Sequence, residues 1–155
     1  METGSQRPRK VLAVASGGGH WVQLIRLRPA FEGSVVTYVS TLAGYRSQVA
    51  PASFHHIRDA SMWNKFGLLV QAAQMLWILV RLRPDVVITT GAAPGYFAVR
   101  MGKWFGARTV WVDSMANVDE LSLAGQKAGK CVDLWLTQWP HLARQDGPYC
   151  VGAVL

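Results

Sequence analysis

The chain has 155 residues, 50% of them hydrophobic, with 16 Lys and Arg against 9 Asp and Glu for a net charge of +7. That length suits one domain built on a single packed sheet with covering helices, and excludes two such domains. The basic balance points to an anionic partner (nucleic acid, a phosphorylated substrate or an acidic bilayer surface) without choosing among them. Two cysteines, Cys131 and Cys150, are too few for a disulfide framework and lack metal-ligand spacing. They read as free thiols in a reducing cytosol, and no metal or other cofactor is expected.

Residues 1–9 are polar and basic, lack the apolar core of a signal peptide, and read as a loose start ahead of a folded unit at 10–155. An apolar run at 11–15 predicts a strand. It breaks into Ser16-Gly17-Gly18-Gly19-His20, after which helical spacing begins and continues to about residue 27, where Pro29 and Gly33 close it. Residues 35–40 read as a second buried strand, and 54–57 as a short apolar piece. A helix over 65–82 ends at Pro84 and delivers a strand at 86–90. A turn with Gly91, Pro94 and Gly95 opens a helix through Trp104, stopped by Gly106, and 109–112 is the next strand. Residues 121–132 read as helical despite Gly125 and Gly129, 134–137 as a strand, and 151–155 as an apolar tail. Continuous β-rich runs separated by helices predict an α/β fold: a single Rossmann-like, doubly wound parallel sheet whose ligands sit at the carboxyl ends of the strands.

Three turns fall at that edge: 17–20, 91–95 and 113–117. The first fails two familiar nucleotide signatures. Its glycines do not follow G-x-G-x-x-G, the second strand ends in Ser40-Thr41 without a carboxylate for a ribose hydroxyl, and no Gly-Lys-Ser/Thr follows for a Walker loop. Gly17, Gly18 and Gly19, with Gly91 and Gly95, are candidates to present main-chain N–H groups to a diphosphate. A tight strand-to-helix turn is the alternative reading. His20, at the opening of a helix, is the candidate general base, with a structural cap as its alternative. Asp113 is a candidate to orient His20 or a sugar hydroxyl, or else to cap the Ser114 turn. His55, His56 and His141 read as surface or edge residues.

The set Ser16-Gly-Gly-Gly-His20, Arg83-Pro-Asp-Val-Val-Ile88 before Gly91, Val112-Asp-Ser114, Glu120-Leu-Ser-Leu-Ala-Gly125 and Gln138-Trp-Pro140 resembles one family. It is the acceptor-side subunit of split GT-B glycosyltransferases, namely the asparagine-linked-glycosylation subunit fourteen family with its bacterial exopolysaccharide PssD-like members. The likeness runs from Lys10 to Leu155. More distantly, the chain is similar to the N-terminal half of the peptidoglycan enzyme that adds N-acetylglucosamine to lipid I. The resemblance implies half of a GT-B enzyme, inactive alone. This half would bind a polyprenyl-diphosphate-linked acceptor and an anionic membrane from the cytoplasmic side, while a donor-binding catalytic subunit holds the UDP-sugar in a heterodimer. It also implies His20 as the base, Ser114 and Asn117 near the acceptor sugar, and Trp139, Pro140, Val151 and Leu155 as partner contacts. Asn117 and Asp113 stand where eukaryotic members would carry arginine and glutamate, which places the chain with bacterial relatives.

In the 65–82 helix, Gln71, Gln74, Ile78 and Arg81 form one stripe, and apolar residues cover most of the remaining circumference. Trp63, Phe66 and Leu69, bracketed by Lys65, Arg81 and Arg83, read as aromatic, apolar and cationic anchors for an anionic bilayer surface. An ordinary core helix is the alternative. The charge-free run from 66 to 80 falls short of the ~20 apolar residues of a spanning helix, so none is expected. Two competing classes remain. A nucleic-acid-binding module would account for the charge, but the basic residues are scattered without an aromatic-interleaved motif. A self-sufficient small enzyme would need a nucleotide-sugar site within this one domain.

Overall fold

Each short apolar run between residues 10 and 137 becomes a strand of one parallel sheet in the computed structural model, which describes residues 7–154. The strands are β1 Lys10–Val14, β2 Val35–Ser40, β3 Ser53–His56, β4 Val86–Thr89, β5 Arg108–Val112 and β6 Leu134–Leu136, in the order β3-β2-β1-β4-β5-β6. Alternate residues feed opposite faces, as the period of a strand requires. Leu12, Val14, Val39 and Val87 enter one core, and Val11, Ala13, Tyr38 and Ile88 enter the other. Burial on both faces explains why β1, β2, β4 and β5 are nearly continuous runs rich in β-branched residues.

Among the described residues, five α-helices cover the sheet: α1 Gly19–Arg26, α2 Arg46–Val49, α3 Lys65–Leu82, α4 Ala92–Gly102 and α5 Leu123–Ala128. Trp21 and Leu24 of α1 and Val49 of α2 pack on one face. Met75, Ile78 and Leu79 of α3, Ala98 and Val99 of α4 and Ala128 of α5 pack on the other. The strand order turns around between β1 and β4, so α1 and α4 leave neighbouring strands toward opposite faces and open a crevice at their N-termini. The doubly wound parallel sheet expected from the sequence is the observed fold.

Several boundaries differ from expectation for local reasons. The short apolar piece at 54–57 is the edge strand β3, paired to β2 from Ser53 to His56. The helix expected through Trp104 ends at Gly102 and tightens into a 3-10 turn, Lys103–Phe105. The helix expected over 121–132 is only α5, because the Ser122 hydroxyl accepts the Gly125 N–H and starts it late. Residues 151–154 have no regular secondary structure, and Leu155 lies outside the described residues.

Candidate active site

His20 sits at the crevice between β1 and β4, fixed by two bonds to one residue of the facing loop. Its ring Nδ1 lies 2.8 Å from the Thr90 carbonyl, and the Thr90 hydroxyl donates to the His20 carbonyl at 2.6 Å. A carbonyl only accepts, so Nδ1 carries the proton and Nε2 is left as the acceptor nitrogen. The ring lies against Gly91, where a Cβ would meet its Cε1 at 2.8 Å. Gly91 at φ 128° is followed by Ala92 at φ 66°, an uncommon conformation for a residue with a side chain and of the kind held at functional turns.

The glycine loop approaches from the other side. Gly18, at φ 64°, precedes α1, and its N–H donates to the Tyr45 hydroxyl at 3.0 Å. Tyr45 itself stacks on Trp21 at 4.5 Å. The first helical bond of α1 runs from the Val22 N–H to the Gly18 carbonyl, which leaves the N–H groups of Gly19, His20 and Trp21 ahead of it. Two helix N-termini, of α1 and α4, thus meet around the His20 ring, an arrangement that favours an anion. Gly17 is packed differently, since a Cβ there would strike Leu42 at 2.7 Å. Gly95 is not at the loop surface. It lies inside α4 where a Cβ would collide with the Thr89 hydroxyl oxygen, so this glycine serves helix-to-strand packing and not a diphosphate.

Asp113 does not reach His20. It is 1% exposed, and its two oxygens accept four bonds: Oδ1 from Trp111 Nε1 at 3.0 Å and Ser122 Oγ at 2.6 Å, Oδ2 from Asn117 Nδ2 at 3.2 Å and the Ser122 N–H at 3.0 Å. Four donors fill a carboxylate's acceptor sites, leaving none for an imidazole or a sugar. Its role is to fold the loop from β5 into α5, and a Cβ at Gly125 would meet Oδ1 at 2.5 Å, so the missing side chain is what lets that helix pack against the carboxylate. The Thr90 carbonyl does the orienting that Asp113 was expected to do. Ser114 is also sealed from solvent. Its hydroxyl accepts from Gln23 Nε2 at 3.1 Å and the Ala116 N–H at 3.2 Å, and Asn117 is turned toward Asp113. Asp113→Ala strands four donors, each costing about 1–3 kcal/mol if left buried and unpaired. Urea titration should show a stability loss of about 3 kcal/mol or more. A variant as stable as the parent but inactive would return Asp113 to the chemistry.

Sequence reasoning passed over three residues of this site: Thr90, Tyr45 and Gln23. Gln23 stands one helical turn after Gly19, which is the only hint of its role in the chain. The histidines read as peripheral are so: His55 and His56 lie on edge strand β3, and the His141 ring meets the Val118 carbonyl at 2.6 Å. Burial, and then the Arg46 guanidinium, hold the His55 ring below the usual imidazole range. Among the described residues, no group of three or more His, Cys, Asp or Glu is placed to hold a metal ion.

The 65–82 helix presents an exposed apolar surface away from the crevice. Asn64 caps it through the Gly67 N–H at 2.8 Å. Its glutamines face inward, the reverse of a soluble amphipathic helix, while Arg81 at the end of that stripe is exposed. Gln71 is fully buried, with Nε2 donating to the Arg58 carbonyl at 2.8 Å, and Gln74 Oε1 accepts the Arg58 N–H at 2.8 Å. The outward stripe is apolar: Phe66, Leu69, Ala73, Leu76, Trp77 and Val80 are exposed, continued by Met62 and by Trp63 at 96% exposure. Arg81 lies over the Trp77 ring at 5.1 Å. By length and composition this helix could cross a membrane, yet its Gln71, Met75, Ile78 and Leu79 face is docked on the domain. Trp139 is half-buried, its indole N–H donating to the Met115 carbonyl at 2.8 Å, Pro140 is exposed, and Val151 is 83% exposed.

The fold and crevice define one Rossmann-like half of a GT-B type architecture. The fold of MurG from Acinetobacter baumannii overlays 94% of this chain with a TM-score of 0.74 at 13% identity, and the chain spans 46% of that protein. A putative UDP-N-acetylglucosamine 2-epimerase from Listeria monocytogenes overlays 91% of it at a TM-score of 0.66 and 12% identity, with 41% of that protein covered. Residues 53–153 match the family described as oligosaccharide biosynthesis protein Alg14 like, and the chain belongs to that family. The UDP-N-acetylglucosamine transferase subunit alg14 of Schizosaccharomyces pombe is 34% identical over 88 residues, covering 52% of this chain and 34% of that protein. The corresponding subunit of Eremothecium gossypii is 25% identical over 89% of this chain and 76% of its own length. The chain therefore spans about a third of the first relative and just under half of MurG.

Proposed function

We propose that this chain is the acceptor-side subunit of a two-subunit inverting glycosyltransferase. The partner, a donor-binding GT-B subunit, holds a UDP-sugar, and this chain holds a polyprenyl-diphosphate-linked saccharide at the cytoplasmic face of the membrane. UDP-N-acetylglucosamine is the donor that the names of the family's relatives suggest. The observation that carries the reading is the His20 ring, its Nδ1 proton committed to Thr90 and its Nε2 left to accept, set between two helix N-termini. In the reaction, Nε2 removes the proton of the acceptor hydroxyl as its oxygen bonds to the sugar C1. The bond from C1 to the UDP oxygen breaks, and UDP departs with that electron pair. The N–H groups of Gly19, His20 and Trp21 and of the α4 opening are suited to hold the acceptor diphosphate. The apolar stripe of α3 rests on the bilayer that carries the lipid, with Lys65, Arg81 and Arg83 toward anionic headgroups. Trp139, Pro140 and residues 151–154 face the partner.

The test is reconstitution. The chain, a donor-binding GT-B subunit, UDP-N-acetylglucosamine and a short polyprenyl-diphosphate acceptor should together give product, and neither subunit alone should. Transfer by this chain alone would overturn the divided enzyme. Tight binding of random duplex at moderate salt would favour the nucleic-acid reading instead.

A further inference from the structure

Two buried glutamines connect the catalytic turn to the far end of the chain. Gln23 Nε2 donates to the Gly19 carbonyl and to Ser114 Oγ, both at 3.1 Å. Its Oε1 accepts the Met115 N–H at 3.1 Å and Gln138 Nε2 at 2.5 Å. Gln138 Nε2 also donates to the Asp113 carbonyl at 3.0 Å, and its Oε1 accepts the Val154 N–H at 2.8 Å. Both side chains are buried. Every hydrogen and lone pair of the Gln23 amide is used, so its orientation is unique: exchanging oxygen and nitrogen would set an acceptor against the Gly19 carbonyl and a donor against the Met115 N–H.

We propose that Gln23 is a positioning residue for the transfer reaction, coupling the 151–154 segment through Gln138 to the glycine-histidine turn. The proposal rests on the function given above. The peptide between Gly19 and His20 is the one whose carbonyl Gln23 holds, so a shift of Gln23 moves the backbone that carries the base. At the other end of the relay, a cleft of about 210 Å³ lies between residues 151–154 and Leu27, Val112 and Leu136. A protein that draws this segment against itself would pull on the Val154 to Gln138 bond and so on the turn. A buried polar network with every member satisfied transmits such a displacement because no alternative pairing is open to it.

The substitutions that isolate the relay are Gln23→Glu, which keeps the volume and the acceptor oxygen but cannot donate to Gly19, and Gln138→Glu, which keeps the Val154 bond but cannot donate to Gln23. In the free chain, Gln138→Glu should displace the backbone amide resonance of His20, although the two residues do not touch. In the reconstituted enzyme each variant should lower kcat by ~10-fold or more with the KM values for both substrates little changed, as misplacement of a reacting group does. The double variant should be no worse than about the poorer single one, because one relay is broken once. An unmoved His20 resonance overturns the coupling whatever the activity. Folded variants with parental kcat, or losses that multiply, overturn the positioning role. Parental enzyme that transfers nothing refutes the function instead, while the resonance still reports on the relay. Should Gln23→Glu fail to fold, Gln138→Glu alone decides on both readouts.

Discussion

His20→Ala lowers sugar transfer by the reconstituted enzyme ~10²-fold or more, while the chain keeps its stability and its hold on the partner. A positioned general base contributes about 10²–10⁴-fold, and losing it is felt in the rate of the chemical step. The structure separates this from a folding effect. The imidazole lies outside both core clusters, and the Thr90 hydroxyl bond goes to the His20 main-chain carbonyl, so it survives truncation of the side chain. The pH profile of kcat/KM supplies the second measurement. In the parent, its acid limb marks protonation of the base in the free enzyme, and in His20→Ala that limb should vanish along with most of the rate. Activity within about threefold of the parent would reduce His20 to a prop for the Gly91 turn. A large loss with the acid limb intact would assign the proton transfer elsewhere.

The strands and the long helices were legible because their signal is periodic and local. Runs such as Val11 to Ala15 and Val86 to Ile88 are apolar on successive residues, as a sheet buried on both faces requires. α3 matched its sequence bounds because Asn64 caps one end and Arg83, in left-handed conformation at φ 45° before Pro84, stops the other. The site was legible only in its first half. Three glycines and a histidine after a strand announce the turn into α1, but nothing in the sequence near Thr90 says that its carbonyl will fix a ring 70 residues earlier. Asp113 misled for the opposite reason. An acidic residue at a strand end looks chemical until its four donors are counted: one comes from Asn117, two from Ser122, and one from the indole two places before it. Gly95 and Gly125 likewise read as loop or helix-breaking signals, whereas each marks a close approach of helix to strand or carboxylate. Gln23 and Gln138 were invisible as a pair because their bond joins residues 115 apart.

Replacing Trp63, Phe66 and Leu69 with Gln should weaken binding to vesicles of anionic lipid by ~10²-fold or more, with thermal stability unchanged. Full burial of such side chains is worth about 1.5–3 kcal/mol each. Half that value per residue at an interface already reaches about 3 kcal/mol, roughly two decades in affinity. Stability should hold because these side chains are 96%, 68% and 67% exposed and contribute little to the core that would be lost. The charges make a separable contribution: Lys65, Arg81 and Arg83 act through the surface potential, so their part fades as salt rises past a Debye length of about 8 Å, whereas the apolar part persists. The geometry also selects lying on the bilayer over crossing it. α3 is 18 residues long, about 27 Å at the rise of an α-helix. To span, it would have to leave the sheet, exposing Met75, Ile78 and Leu79 and breaking the Gln71 and Gln74 bonds that tie the 58 segment to it. Resting on the surface breaks none of these and buries the stripe that the domain leaves open. Since α3 begins after β3, at the same sheet edge as His20, that posture brings the crevice to the headgroup level where a lipid-borne diphosphate would lie. Undiminished vesicle binding by the triple variant would give the stripe to a protein neighbour and detach the crevice from the membrane.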